Sequence, residues 1–179
     1  MLAGKNWDTI SRLNHWIIAL AMIGMLVFGV YLEEFVPRGP AKGALIGIHK
    51  EIGVLVLLSG LWRVGYRLLR GFLADAAPMP KWQSVTAKLV HWILLISVIA
   101  MPVSGLLGSY FGGRDVDVLG LYTFLSVTEP NRALSDAFMG MHGMFGKVTI
   151  FALLLHVFGA LKHHIIDKDA TLKRMVGRA

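Results

Sequence analysis

The stretch GMHGMFGKVTIFALLLHVFGALKHH, residues 140–164, is mostly apolar yet holds four of the chain's seven histidines. A histidine inside hydrocarbon is costly and turns toward a protein interior or another polar group. His142 and His156 stand fourteen residues apart. On a helix that spacing is about 40° short of four full turns, with about 21 Å of rise. They project from one helix face at two levels. His15 opens the first apolar run of the chain and His49 the second. If successive runs alternate in direction, His15 comes level with His156 and His49 with His142, giving two imidazole pairs on opposite sides of an apolar slab. Any one of these histidines is also explained by an interhelical hydrogen bond or a place at headgroup level. Agreement of depth and facing in both pairs points to paired ligands.

Two imidazoles facing each other across a helical bundle suit an iron ligated above and below a porphyrin plane, and the apolar macrocycle suits a lipid-embedded interior. The pattern therefore predicts two b haems, one held by His15 and His156 and one by His49 and His142. A zinc site would need more ligands converging on one point. With no cysteine in the chain, thiolate sites, disulfides and cysteine nucleophiles are excluded. Gly47, Gly53, Gly143, Gly146 and Gly159 would let backbones close around a flat ring. Arg63 lies fourteen residues beyond His49, on the same helix face, and reaches the inner level where haem propionates need a cation. Arg67, one turn later, reads as a snorkelling arginine that sets topology. His91 falls at the inner level, where a satisfied interfacial histidine is one reading. His163 and His164 follow His156 toward water. They read as polar helix-end residues at the headgroup level.

The elements that must position these residues follow from hydropathy. A 179-residue chain that is 55% hydrophobic, with a mean hydropathy of +0.62, belongs with membrane proteins. Apolar runs cover residues 13–32, 44–62, 89–111 and 143–161, each near the roughly 20 residues that cross about 30 Å of hydrocarbon. The first run is too long for a signal-peptide core and ends in Glu33 and Glu34, so it reads as a retained span. Short connections predict an all-α, up-down bundle of four transmembrane helices enclosing both haems, a single domain over residues 1–179, with Pro102 bending the third span. The link GFLADAAPMPKW, residues 71–82, reads as an irregular cytoplasmic loop. LGLYTFLSV, residues 119–127, is apolar enough to lie against the bilayer or cap the bundle.

Charge orients the bundle. With the N-terminus inside, twelve of the eighteen basic residues and four of the eleven acids lie on the inner side, from Lys5 and Arg12 to Arg178, giving +8 inside against −1 outside. Basic bias toward the cytoplasm predicts that both termini are cytoplasmic. A nucleic-acid partner is excluded, because the charges sit at scattered helix ends and form no soluble face. Trp16, Trp62, Trp82 and Trp92 read as an inner aromatic belt.

The patterns SRLNHW, IHKEIGVLVLLSGLWRVGYRLL, KLVHWILL with AMPVSGLL, and MHGMFGKVTIFALLLHVFGALKHHIIDKDATLKRM resemble the bacterial cytochrome b561 family. That family lies within a wider group that includes the membrane cytochromes of nickel-iron hydrogenase and formate dehydrogenase. The resemblance covers nearly the whole chain. It implies the same two histidine pairs, electron exchange with ubiquinone, and, for compact members, oxidation of superoxide at the periplasmic haem. With a quinone at the inner side, the second reading of His91 is a quinone-pocket residue bonding a carbonyl oxygen or relaying a proton. That of His163 and His164 is a proton supply for the quinone, for which an imidazole pKa of about 6.5 is suited. The alternative is an anchor subunit that docks a soluble dehydrogenase or hydrogenase and passes its electrons to quinone. The shortness of the exposed segments speaks for the oxidase. The outer charge of −1 means that an anion would be drawn locally, by Lys50, Lys147, Arg38 or Lys42.

Overall fold

The computed structural model describes residues 7–71 and 78–178. Lys5 and residues 72–77 of the 71–82 link lie outside the described residues. The chain forms helices α1 (Thr9–Glu34), α2 (Pro40–Arg70), α3 (Lys81–Phe111), α4 (Arg132–Ile165) and α5 (Thr171–Val176). Among the described residues α1 to α4 are the four helices long and apolar enough to cross a membrane.

The helices outrun the apolar runs because their ends are set by caps rather than by hydrophobicity. Asp8 Oδ1 accepts the Ser11 N–H at 2.9 Å and starts α1. Asn131 Oδ1 accepts the Leu134 N–H at 3.0 Å and starts α4 well before its apolar run. Pro40 occupies the first turn of α2, where its missing N–H costs nothing, and Gly71 closes that helix at φ 69°. α3 continues through Pro102. The Val98 carbonyl, which proline leaves without its helical partner, faces Gly60 so closely that a Cβ there would come within 3.1 Å of it.

Chain neighbours pack together: α1 on α2, α2 on α3, and most extensively α3 on α4. Small polar residues let α3 and α4 approach, with Ser104, Ser109, Ser135 and Thr149 all buried. The Ser135 hydroxyl donates to the Gly108 carbonyl at 2.8 Å, which joins the end of α3 to the start of α4. On the outer surface of α1, Leu13, Ile17, Leu20 and Val27 are 60%, 60%, 68% and 66% exposed. Such a stripe is unfavourable in water and at home in lipid tails.

The all-α expectation holds for the spans, but the connection after α3 folds into an antiparallel hairpin of β1 (Val116–Val118) and β2 (Tyr122–Phe124), with Val116 opposite Phe124. LGLYTFLSV thus supplies a turn and a strand. Leu119 and Gly120 both adopt positive φ, and the Leu121 N–H closes on the Val118 carbonyl at 3.0 Å. β1 lies against α2: Val116 is buried, and Lys50 Nζ donates to the Asp115 carbonyl at 2.8 Å. Hydrogen bonds from the Ser126 hydroxyl and N–H hold the Asp115 carboxyl below the usual carboxylate range.

Candidate functional site

The histidines meet in the bundle interior in pairs. The rings of His49 and His142 have centroids 6.1 Å apart, and those of His15 and His156 are 6.2 Å apart. A metal held midway at roughly 2.0 Å from two imidazole nitrogens would place the ring centroids about 6 Å apart, so both pairs fit a shared iron. His91 joins the inner level, its ring 5.3 Å from that of His156.

The two levels repeat along every span. Fourteen residues separate His15 from Gly29, His49 from Arg63, His91 from Gly105 and His142 from His156. The outer level is therefore Gly29, His49, Gly105 and His142, and the inner level is His15, Arg63, His91 and His156. At the outer level each histidine is met by a glycine of the adjacent helix: a Cβ at Gly29 would lie 3.6 Å from His49 Cε1, and one at Gly105 would lie 3.0 Å from both Cε1 and Nδ1 of His142. Between the levels Ile18 and Met25 of α1, Val56 of α2 and Val98 of α3 form the apolar core.

The hydrogen bonds of the four histidines differ. His142 Nδ1 donates to the Met101 carbonyl at 2.8 Å, which fixes the ring and leaves Nε2 with its lone pair, the arrangement a metal-binding imidazole needs. His49 Nδ1 is buried without a hydrogen-bond partner among the described residues. His15 Nδ1 lies 3.0 Å from Arg63 Nη2, and Arg63 Nη1 donates to Asn14 Oδ1 at 3.2 Å. Guanidinium only donates, so His15 Nδ1 accepts and the ring proton sits on Nε2. Ligation through Nε2 requires that this proton leave or that Arg63 turn away. A propionate at this level would compete with His15 for the same guanidinium. These donor sets, two neutral-imidazole pairs with a cation beside one of them, fit haem b.

Arg67 does not snorkel. It is 5% exposed, its guanidinium lies over the Trp7 ring at 4.0 Å, and Nη1 donates to the Gly71 carbonyl at 2.9 Å, capping α2. Among the described residues nothing outside their own helix backbone lies within 4 Å of a would-be Cβ at Gly47, Gly143 or Gly159, so the space beside them is open, as room for a flat ring requires, while Gly29 and Gly105 are in contact with histidine. The sequence signal for them is their fourteen-residue offset from His15 and His91. His163 Nδ1 bonds Asp169 Oδ2 at 2.6 Å, and His164 is exposed at the helix surface. Burial raises the Asp169 pKa, but hydrogen bonds from Thr171 and His163 outweigh it and leave the carboxyl below its usual range.

The chain is similar to known proteins over nearly its whole length. The family model described as prokaryotic cytochrome b561 matches residues 6–178. The chain is 28% identical over 184 residues to cytochrome b561 homolog 2 of Escherichia coli (strain K12), covering 98% of this chain and 93% of that protein. It is also 28% identical over 165 residues to cytochrome b561 homolog 1 of the same organism, covering 92% and 93%. A protein named probable superoxide oxidase CybB, from Yersinia pestis, is 28% identical over 173 residues, with 96% of each chain covered.

Proposed function

We propose that this chain, which belongs to the prokaryotic cytochrome b561 family and is thereby a multi-pass, b-haem membrane electron-transfer protein, oxidises superoxide on the periplasmic side of the inner membrane and reduces ubiquinone on the cytoplasmic side. Two superoxide anions give up one electron each to become dioxygen, and one ubiquinone takes both electrons and two protons to become ubiquinol. The observation that carries this reading is the pair of stacked histidine sites at opposite ends of one bundle, joined by the fourteen-residue period of α4. The name of the Yersinia pestis relative supports superoxide as the donor.

Haem b, when bound, supplies a one-electron carrier at each level. His49 and His142 would hold the outer one, His15 and His156 the inner one. Met101 orients His142 through its carbonyl, and Arg63 would receive the propionates. Lys50 stands next to His49 with its ammonium at the hairpin edge, placed to draw an anion toward the outer level. His91, beside His156, lines the quinone site at the inner level. His163 and His164 lie further along α4 toward the cytoplasm, where they would supply protons. Cytoplasmic placement of both termini accords with the excess of basic residues on that side.

The test is rapid mixing of the purified, haem-loaded protein with superoxide, then with ubiquinone. Fast haem reduction followed by quinone-dependent reoxidation is expected, with His91→Ala slowing only the second step. Absence of a superoxide reaction, together with stoichiometric co-purification of a soluble dehydrogenase from gently solubilised membranes, would replace this reading with the anchor subunit.

A further inference from the structure

The inner histidine pair takes one residue from α1 and one from α4, and these two helices are not sealed along their length. An apolar groove of about 430 Å³ opens between them, lined by Ile23, Val27, Val30 and Tyr31 of α1 and by Ile150 and Leu153 of α4. Close packing joins α1 to α2, α2 to α3 and α3 to α4. The α1–α4 seam needs another fastening to keep His15 opposite His156.

The chain after α4 is built to supply it. The turn is fixed by the His163–Asp169 bond at 2.6 Å and by the Asp169 N–H on the His163 carbonyl at 3.1 Å. Asp169 Oδ1 also accepts the Thr171 N–H at 2.8 Å and so starts α5. Lys168 takes a positive φ of 52° within the same turn. α5 then crosses to the start of α1, where Trp16 Nε1 donates to the Met175 carbonyl at 3.2 Å. Gly177, at φ 76°, lies against Arg12, and a Cβ there would overlap the Arg12 guanidinium. The Trp16 ring in turn meets the His15 ring edge-on, with centroids 5.3 Å apart. A continuous set of contacts thus runs from α4 through Asp169, α5 and Trp16 to His15.

We propose that α5 is a strap that fastens α1 to α4 at the cytoplasmic end, and that Trp16, Asp169 and Gly177 are positioning residues that hold His15 in register with His156. The proposal rests on the reading that this pair ligates an iron. Releasing the strap should loosen the inner site alone. The outer pair lies about 21 Å away along α4, and its histidines come from α2 and α4.

The test uses the full chain. Trp16→Phe removes the N–H and keeps the ring against His15; Gly177→Val forces Arg12 off the strap. Because the chain has no cysteine, spin labels on Leu13→Cys and Leu161→Cys, both at exposed positions, report the α1–α4 separation directly. For Gly177→Val the expected result is a broadened label distance and inner-haem affinity lowered about tenfold, in the range of lost supporting contacts around a metal ligand. Trp16→Phe should give a smaller loss of about threefold, within the worth of one hydrogen bond. The ferric inner haem should shift toward high spin in electron paramagnetic resonance, with the outer haem intact as the control for folding. An unchanged label distance, unchanged inner-haem affinity, or equal loss of both haems would overturn the strap. If the wild type bound no haem at the inner pair, the iron reading would fall, while the label distance would still decide whether α5 fastens the seam.

Discussion

Gly105→Ala is the smallest change expected to dislodge the outer cofactor. A Cβ at this position falls 3.0 Å from His142 Cε1 and Nδ1, whereas carbon atoms in van der Waals contact sit about 3.5–4.0 Å apart. The imidazole must retreat by about 0.5 Å or more. Its Nδ1 now lies 2.8 Å from the Met101 carbonyl on the same helix as Gly105, so the retreat stretches that bond to about 3.3 Å, past the usual N–H···O range. Loss of a partner that orients a metal-binding histidine typically costs 10–100-fold in affinity, or about 1.4–2.7 kcal/mol. Haem titration of the purified protein, followed by reduced-minus-oxidised spectra, should therefore show outer-haem affinity down by that factor and the inner haem unchanged. Gly140→Ala is the matched control. It lies on the same α4 as His142 with nothing within 4 Å of its Cβ position, and alanine favours the helix, so both haems should remain. Wild-type affinity at both sites in Gly105→Ala would refute the argument that this glycine makes room for the ligand.

His142→Ala should remove the outer haem selectively and His15→Ala the inner one, read from haem-to-chain ratios. Neutralising Lys50 and Lys147 as glutamine should lower the second-order rate of superoxide reduction of the haem and flatten its ionic-strength dependence at unchanged haem content, since attraction is screened over about 8 Å at physiological salt. Gly60→Val puts methyl groups against the Val98 carbonyl and side chain, already within 3.1–3.4 Å of a Cβ. It should destabilise the α2–α3 contact by about 1–3 kcal/mol, seen as a lower melting temperature in detergent. Asp169, held below its usual carboxylate range, contributes stability that is present above its ordinary, unfolded-chain value of 3.8 and lost as pH falls through the lower folded value. Asp169→Asn should therefore lower the melting temperature at neutral pH, with the difference from wild type closing in strong acid.

Hydropathy makes the four spans legible, and the fourteen-residue spacing of His142 and His156 makes the two levels legible, because both depend only on the period of a helix and the thickness of a bilayer. Helix ends are less visible. Asp8 and Asn131 start α1 and α4 as caps, a local signal that hydropathy does not carry. Contacts that depend on the rotation of one helix against another stay hidden. Gly105 meets His142 and Gly29 meets His49 through packing between different helices, which no local pattern carries. Spacing places Arg63 at the right depth, but its bond to His15 Nδ1 depends on side-chain direction. The hairpin escapes a sequence reading because Leu119 is an unusual residue for positive φ, and α5 does so because six residues are too few for a periodic signal.

The most direct measurement is the number of haems per chain and their ligation in the purified protein at saturating haem. Two b haems per chain are expected, both low-spin with two imidazole ligands in electron paramagnetic resonance, and each lost separately with its own histidine pair. One haem or none per chain, or a haem that survives replacement of both members of its assigned pair, would contradict the account.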